Sequence, residues 1–262
     1  MKITPPLVFD ILWLWPDILN LHGDRGNAMA LERIAGMYGI EARITRVNRL
    51  TDDFDPLASD LILMNPGELV NVPHIVDALS MKKYALETYA AEGGALLCIG
   101  TTGAALANRT ERTNGSAITG LGLLDMTCRE RTAVLGDDLI ARAFGETVYG
   151  IQIQMMDTIL NAGQEPFAEL VYGYGNNGGG SSGAEGAASG NIIFTNMLGP
   201  VLVKNPWLTL ELIRRALGRR HADRADEIRE LLTFDPARFE LELRSTEAIR
   251  RFNTTKEKPI YK

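Results

Sequence analysis

The chain has 262 residues, of which 45% are hydrophobic and 23% are charged, proportions that are typical of a folded globular protein. Its formal net charge of −6 argues against a nucleic-acid partner, and its two cysteines are too few for a disulfide framework or an all-cysteine zinc site. No targeting segment is apparent and no apolar run approaches the ~18 residues of a membrane span, so we expect a cytoplasmic protein without such a span.

The first hundred residues alternate apolar runs of strand length with helical patterns. Strands are predicted at 7–14, 41–47, 60–64 and 95–99, and helices at 26–38 and 72–92. Strands that are separated by helices of this length pair in parallel through right-handed crossovers. We therefore predict an α/β fold with three layers, α/β/α, around a doubly wound and mostly parallel sheet.

Beyond residue 115 the helical pattern gives way to short candidate strands with turn residues between them. These strands are predicted at 120–124, 132–134, 146–153, 169–174 and 191–197. The segment 173–190 contains eight glycines, and a stretch of this composition cannot bury a core of its own. It is predicted to be an exposed, mobile loop.

The C-terminal part is predicted to be a helix followed by a charge-dense tail. The helix is expected at 207–217, directly after Pro206. We place one domain at 1–217 and a helical C-terminal extension of one or two amphipathic helices at 218–262. The apolar residues that could dock this extension are Ile228, Leu231, Leu232 and Phe234.

Cys98 is the most informative candidate for chemistry. It ends an apolar strand, and Gly100 follows two residues later at the start of a helix. Such a turn would present the thiol at the carboxyl edge of a parallel sheet, where the helix N-terminus lowers the pKa of a cysteine. The alternative is a buried core cysteine, a frequent state for a free cysteine. This stretch alone leaves both interpretations open.

Five segments, in collinear order over roughly residues 10–217, carry a family resemblance. They are 19–27, similar to N-L-Y-x-D-x-G-N; 98–100, similar to the start of C-x-G-x-Q; 120–125, similar to G-L-G-x-L-D; 173–177, similar to G-Y-G-N-N; and 198–200, similar to L-H-G-P. The chain thereby resembles the class I, cobyric-acid-synthase-like glutamine amidotransferases. Within them it looks most like the glutaminase subunits of lipid II isoglutaminyl synthases.

The resemblance implies a chemistry and a partner. In this family a cysteine thiolate, here Cys98, attacks the side-chain amide of glutamine, and a thioester is then hydrolysed. The released ammonia passes to a Mur-ligase-like (MurT-type) partner, which amidates the D-glutamate of lipid II in peptidoglycan synthesis. Substrate-binding roles would fall on Asn65, Gly67, Gly100 and Arg131. No cofactor is implied, and no cluster of residues has the spacing of a metal site.

The sequence departs from the family pattern at several catalytic positions. Leu198 stands at the position of the catalytic base, and Thr102 stands where the nucleophile motif has glutamine. Pro66 interrupts the glycine-rich oxyanion loop and offers no backbone N–H. His22 is the one histidine that we would test as a substitute base, with Asp24 to orient it, and the alternative is an ordinary loop residue.

Two functional hypotheses follow. In the first, the chain is an enzyme subunit in which Cys98 releases ammonia from glutamine, with help from His22 or another group. In the second, the glutaminase fold persists without catalysis, as a scaffold for the ligase-like partner or as a small-molecule-binding subunit. The departures from the motifs make intrinsic glutaminase activity doubtful and favour the second hypothesis for the intrinsic chemistry. The surviving Cys98 and the segment 173–177 favour keeping the relationship with the ligase-like partner.

Overall fold

The computed structural model describes residues 6–178 and 183–255. Within them the strands are β1 (Val8–Leu14), β2 (Glu41–Val47), β3 (Leu61–Met64), β4 (Ala95–Ile99), β5 (Arg109–Glu111), β6 (Ala117–Thr119), β7 (Met126–Ala143), β8 (Glu146–Leu160), β9 (Ala168–Tyr172), β10 (Ala184–Glu185), β11 (Ala187–Ser189) and β12 (Ile192–Thr195). The helices are α1 (Arg25–Met37), α2 (Val72–Ser80), α3 (Lys83–Ala91), α4 (Gly103–Leu106), α5 (Val201–Lys204), α6 (Pro206–Arg220), α7 (Ala225–Leu231) and α8 (Glu240–Thr255).

Six strands form the central sheet, in the order β11, β12, β4, β3, β1, β2. Neighbouring strands run parallel except at one edge, where β11 pairs antiparallel with β12. The register places Cys98 of β4 beside Met64 on one side and Phe194 on the other. The predicted doubly wound, mostly parallel sheet is confirmed.

Apolar side chains pack on both faces of this sheet and create the three layers. On one face, β1, β3 and β4 contact α1 and α6 in a cluster that contains Phe9, Leu31 and Ile213. On the other face, alternate residues of the same strands contact α2, α3 and α4 in a cluster that contains Tyr89 and Cys98. Because successive residues of a strand point to opposite faces, the nearly continuous apolar strands supply both cores.

A second sheet follows the central one in the chain, and the sequence analysis did not predict it as a unit. Its order is β10, β9, β7, β5, β6, with β8 paired to β7 in a long antiparallel hairpin. The sequence pattern predicted only 132–134 and 146–153 of this hairpin, because charged residues and glycine interrupt the alternation.

The strand predicted at 120–124 is wrong. The N–H of Leu121 donates to the carbonyl of Ala105, and the N–H of Gly122 donates to the carbonyl of Ala107, so this segment caps α4.

Two other local predictions are wrong. The single helix predicted over 72–92 is broken between α2 and α3, where the N–H of Lys82 closes a turn on the carbonyl of Leu79. The glycine-rich segment is not an exposed loop over its described part, since Glu185 and Ala187 are fully buried. Their short strands pair with β9 and β12, which fixes them against the protein. Residues 179–182 of that prediction lie outside the described residues.

The C-terminal extension packs against α1 and α6 and shares their apolar cluster. Ile228, Leu232 and Phe239 are buried there, and Phe234 stacks on Phe239 with ring centroids 5.4 Å apart. The docking role is therefore confirmed for three of the four residues named, whereas Leu231 is exposed. The predicted boundary at residue 217 falls inside α6.

Within the part of the chain that the structure describes, two kinds of feature are absent. None of its helices combines the length and the apolar composition that are needed to cross a bilayer. The same residues contain no group of three or more His, Cys, Asp or Glu side chains that could hold a metal ion.

Candidate active site

The chain leaves the carboxyl end of β4 through a tight turn at Gly100 that leads into α4. Gly100 has a φ of +65°, in the left-handed region that glycine adopts without strain. The residues Gly100–Thr102 form a 3₁₀ turn before α4 begins. A sharp turn from strand to helix is the place where α/β folds present a nucleophile at the edge of the sheet. Gly100 occupies the apex of this turn.

Cys98 lies two residues before the apex, inside β4. Its side chain is completely buried in the apolar cluster between the sheet and α2, α3 and α4. Burial raises the pKa of the Cys98 thiol far above the usual range, and the second buried thiol, Cys128, raises it further. This is the environment of a core cysteine, in which the reactive thiolate is strongly disfavoured.

Leu198 faces the apex of the turn. A Cβ placed on Gly100 would lie 3.1 Å from Cδ2 of Leu198 and 3.0 Å from Cβ of Pro66. The backbone of Leu198 is fixed by two hydrogen bonds with Ile151 of β8, of 3.2 Å and 2.7 Å. The residue at the base position of the motif therefore lies beside Gly100. A glycine directly after the apolar strand 95–99 is the sequence signal that could have identified position 100 as the apex of the turn.

The space beside Gly100 is almost completely filled. A cavity of about 10 Å³ remains there, bordered by Gly100 and Thr101 of the turn and by Gln154, Met155 and Asn196. This volume accommodates about one water molecule. A substrate of the size of glutamine would require these walls to move.

The loop after β3 closes on the turn through two threonine hydroxyls. Oγ1 of Thr102 donates a hydrogen bond of 2.7 Å to the carbonyl of Asn65, and the Thr101 hydroxyl donates to the carbonyl of Gly67. The loop also packs closely against Leu19, because a Cβ placed on Gly67 would lie 2.5 Å from Cδ2 of that residue. The structure thus brings Asn65, Gly67 and Gly100 together, with carbonyl oxygens rather than N–H groups bonded to the turn.

Asp24, which was predicted only to orient His22, lies beside the backbone of Gly199, the residue after Leu198. Asp24 is fully buried, and its carboxylate accepts hydrogen bonds from Nδ2 of Asn27 and from the backbone N–H of Gly199, at 2.9 Å and 3.4 Å. Burial raises the pKa of Asp24 from 3.8 to about 6. Asn27 in turn accepts from the N–H of Leu202, so α1 and the segment 199–202 are held together.

A second buried polar network ties the glycine-rich segment to the site. Nε2 of Gln152 donates to the carbonyl of Gly175, and Nε2 of Gln154 donates to that of Asn176. The side chain of Asn176 reaches Gly186 and Asn196. Glu185 is buried beneath them with its pKa raised by burial, and it accepts from Thr195 and Asn196. These contacts explain why 173–178 and 183–190 are ordered against β8 and β12.

The remaining predicted site residues, His22 and Arg131, make other contacts. His22 is exposed in a turn with a φ of +57°, and the Asp24 carboxylate contacts Asn27 and Gly199 instead. Arg131 forms an ion pair of 2.5 Å with Asp157 on the neighbouring strand β8. The structure does not bring His22 and the buried Cys98 together as a base and a nucleophile.

The chain is similar to two curated proteins and to a solved structure of known fold. The chain is 29% identical over 219 residues to the lipid II isoglutaminyl synthase (glutamine-hydrolyzing) subunit GatD of Streptococcus pneumoniae, covering 82% of this chain and 83% of that protein. It is 27% identical to the GatD subunit of Staphylococcus aureus, covering 78% and 82%. The glutaminase domain of Trypanosoma brucei CTPS with bound acivicin has the same fold, with a TM-score of 0.50 and 12% identity over 80% of this chain and 94% of that one.

The chain is GatD-like and has the class I glutamine amidotransferase fold. No protein-family model matches it. The resemblance found in the motifs is confirmed, and it extends over most of the length of both GatD relatives. In this GatD-like chain, the apex of the turn after β4 carries Gly100 and the position facing it carries Leu198.

Proposed function

We propose that the chain is a GatD-like subunit that has lost its own glutaminase chemistry and serves as the non-catalytic partner of a Mur-ligase-like (MurT-type) protein. The observation that carries the proposal is the pair at the turn, where the Leu198 side chain lies beside Gly100 and neither residue carries a reactive group. The relatives named GatD support the association with lipid II amidation in peptidoglycan synthesis. We propose that it acts in the cytoplasm.

The chemistry of the turn supports this proposal. Amide hydrolysis through a thioester needs a nucleophile and a group that transfers its proton, within hydrogen-bond reach of each other. Neither Gly100 nor Leu198 can perform either step. Cys98 has the right atom, but the thiol is enclosed by Met64, Phe194 and other apolar groups that disfavour the thiolate.

The decisive measurement is glutamate release from glutamine, by the pure chain and by the chain with its ligase-like partner. Wild type, Cys98→Ala and the matched buried control Cys128→Ala are compared in both settings. We expect a complex that co-elutes in size-exclusion chromatography, with no release above a protein-free blank in any sample. Release that is lost in Cys98→Ala and kept in Cys128→Ala would overturn the proposal and establish an active glutaminase with Cys98 as its nucleophile.

The assignment of Gly100 and Leu198 can be checked separately by introducing reactive groups. In the double variant Gly100→Cys with Leu198→His, we expect iodoacetamide to alkylate position 100 at least about tenfold faster than in Gly100→Cys alone, because the imidazole would stabilise the thiolate. Peptide mass spectrometry measures the rate at position 100, and the buried thiol of Cys98 in the same molecule is the internal control. Equal rates in the two variants would contradict the placement of Leu198 beside the apex.

A further inference from the structure

A large cavity lies away from the turn, between the second sheet and the C-terminal extension. It has a volume of about 850 Å³, and its walls come from the β7–β8 hairpin end, from α5 and α6, and from α7 and α8. Volumes of ~300–1,000 Å³ are typical of small-molecule sites. Since α7 and α8 form one wall, the extension creates a site that the rest of the chain lacks by itself.

Four aromatic side chains line this cavity: Phe144, Tyr149, Trp207 and Phe234. Two of these rings are held in place, since Nε1 of Trp207 donates a hydrogen bond of 3.1 Å to the carbonyl of Thr147 and Phe234 stacks on Phe239. Rings that are held in this way offer flat apolar surface at little cost in side-chain entropy. They favour a ligand with an aromatic body.

The charges at the Arg214–Arg215–Glu211 end of the cavity favour an anion over a cation. Four cationic side chains and three carboxylates line the cavity, in a protein whose net charge is −6. Glu211 is shared by two guanidiniums, with Nη2 of Arg214 and Nε of Arg215 both 2.6 Å from its Oε1, so this cluster keeps one positive charge. The guanidinium of Arg215 lies 4.1 Å from the centroid of the Phe144 ring, which joins the charge to the aromatic wall.

Lys204 adds a cation at the inner end. It lines the cavity and its Nζ lies 3.6 Å from a Cβ placed on Gly199, next to the segment that Asp24 holds. Burial lowers the pKa of Lys204, although Asp138 and Asp24 oppose that effect. An acidic group of a ligand would offset the same burial cost.

We propose that this cavity binds an amphipathic small molecule with an aromatic body and one acidic group, placed between the rings and the Arg214–Arg215–Glu211 cluster. The site is separate from the turn at Gly100, so the inference does not depend on the proposed function. Neither the GatD relatives' names nor the motifs of the sequence assign such a site.

The probe for the test is 8-anilinonaphthalene-1-sulfonate, an aromatic monoanion. We expect saturable binding of one molecule per chain, followed by direct excitation of the probe. Arg214→Gln should weaken binding about fivefold, whereas Arg43→Gln, an exposed arginine on β2, should leave it unchanged. The neutral analogue N-phenyl-1-naphthylamine should bind more weakly and should not respond to Arg214→Gln.

A filling variant keeps the test independent of the charge change. Leu243→Trp extends a wall residue of α8 into the cavity and should abolish one-site binding while circular dichroism shows an unchanged fold. Dodecyl sulfate below its micelle concentration should compete less well than the aromatic anion. Binding at many sites per chain, equal binding of the neutral analogue, or unchanged binding in both Arg214→Gln and Leu243→Trp would overturn the inference.

Discussion

Asp24 shows at the scale of one residue how the fold uses a buried charge. Its pKa is raised by burial from 3.8 to about 6, so the folded protein binds this proton more tightly than the unfolded chain does. The contribution of Asp24 to the free energy of unfolding is therefore largest below about pH 4 and falls as the pH rises toward 6. Its hydrogen bonds to Asn27 and Gly199 offset part of this loss above pH 6.

Asp24→Asn should remove this pH dependence. We expect the variant to be more stable than wild type by about 1–2 kcal/mol at pH 8, since the buried charge is gone although one of the two accepted hydrogen bonds is lost. Near pH 4 we expect it to be less stable than wild type. Urea unfolding from pH 4 to pH 8 measures the difference. The exposed control Asp77→Asn should follow wild type, and a variant Asp24→Asn with the wild-type pH slope would contradict the argument.

At the scale of one element, β8 buries polar side chains and exposes apolar ones, the reverse of the usual pattern. Ile151, Ile153 and Ile159 are more than a third exposed, whereas Gln152 and Gln154 between them are buried. The glutamines point inward because they bond the backbone of the glycine-rich segment, and alternation along the strand then turns the isoleucines outward.

Gln152→Ala should destabilise the protein by about 2–3 kcal/mol. The change removes the buried hydrogen bond that Gln152 donates to the carbonyl of Gly175 and the one that it accepts from the N–H of Tyr174, and lost buried hydrogen bonds are costly. Ile153→Ala on the outer face of the same strand is the matched control and should cost less than about 1 kcal/mol. Equilibrium urea denaturation compares the two, and equal losses would show that the inward network carries little stability.

At the scale of the whole molecule, the C-terminal extension behaves as part of the main core. Phe239 and Ile228 are each about 1% exposed in the cluster of α1 and α6. Polar contacts add to this packing, since the Tyr38 hydroxyl donates to the carbonyl of Thr233 and Arg238 donates to the carbonyl of Met37. We propose that residues 1–217 do not form an independently stable domain.

Truncation after residue 217 should lower the melting temperature sharply or cause aggregation, because it uncovers the apolar surface of α1 and α6. Phe239→Ala tests the same packing without truncation and should cost about 3–5 kcal/mol, whereas Leu241→Ala, 77% exposed on α8, should be nearly neutral. Differential scanning calorimetry measures all three. A 1–217 fragment that melts like the full chain would support the two-part organisation expected from the sequence.

The sequence by itself determined the central sheet and its parallel pairing, because strands buried on both faces and helices between them leave a strong periodic pattern. Its ordered motifs determined the family resemblance. It could not give the second sheet, whose strands interrupt their alternation with charges and with inward glutamines. It placed Cys98 in a nucleophile's motif, but only the tertiary structure decided which residue stands at the apex of the turn. A shift of one residue along a strand moves a side chain from one face of the sheet to the other, and a shift of two moves it away from the strand end. Packing between distant segments decides which residue occupies each position.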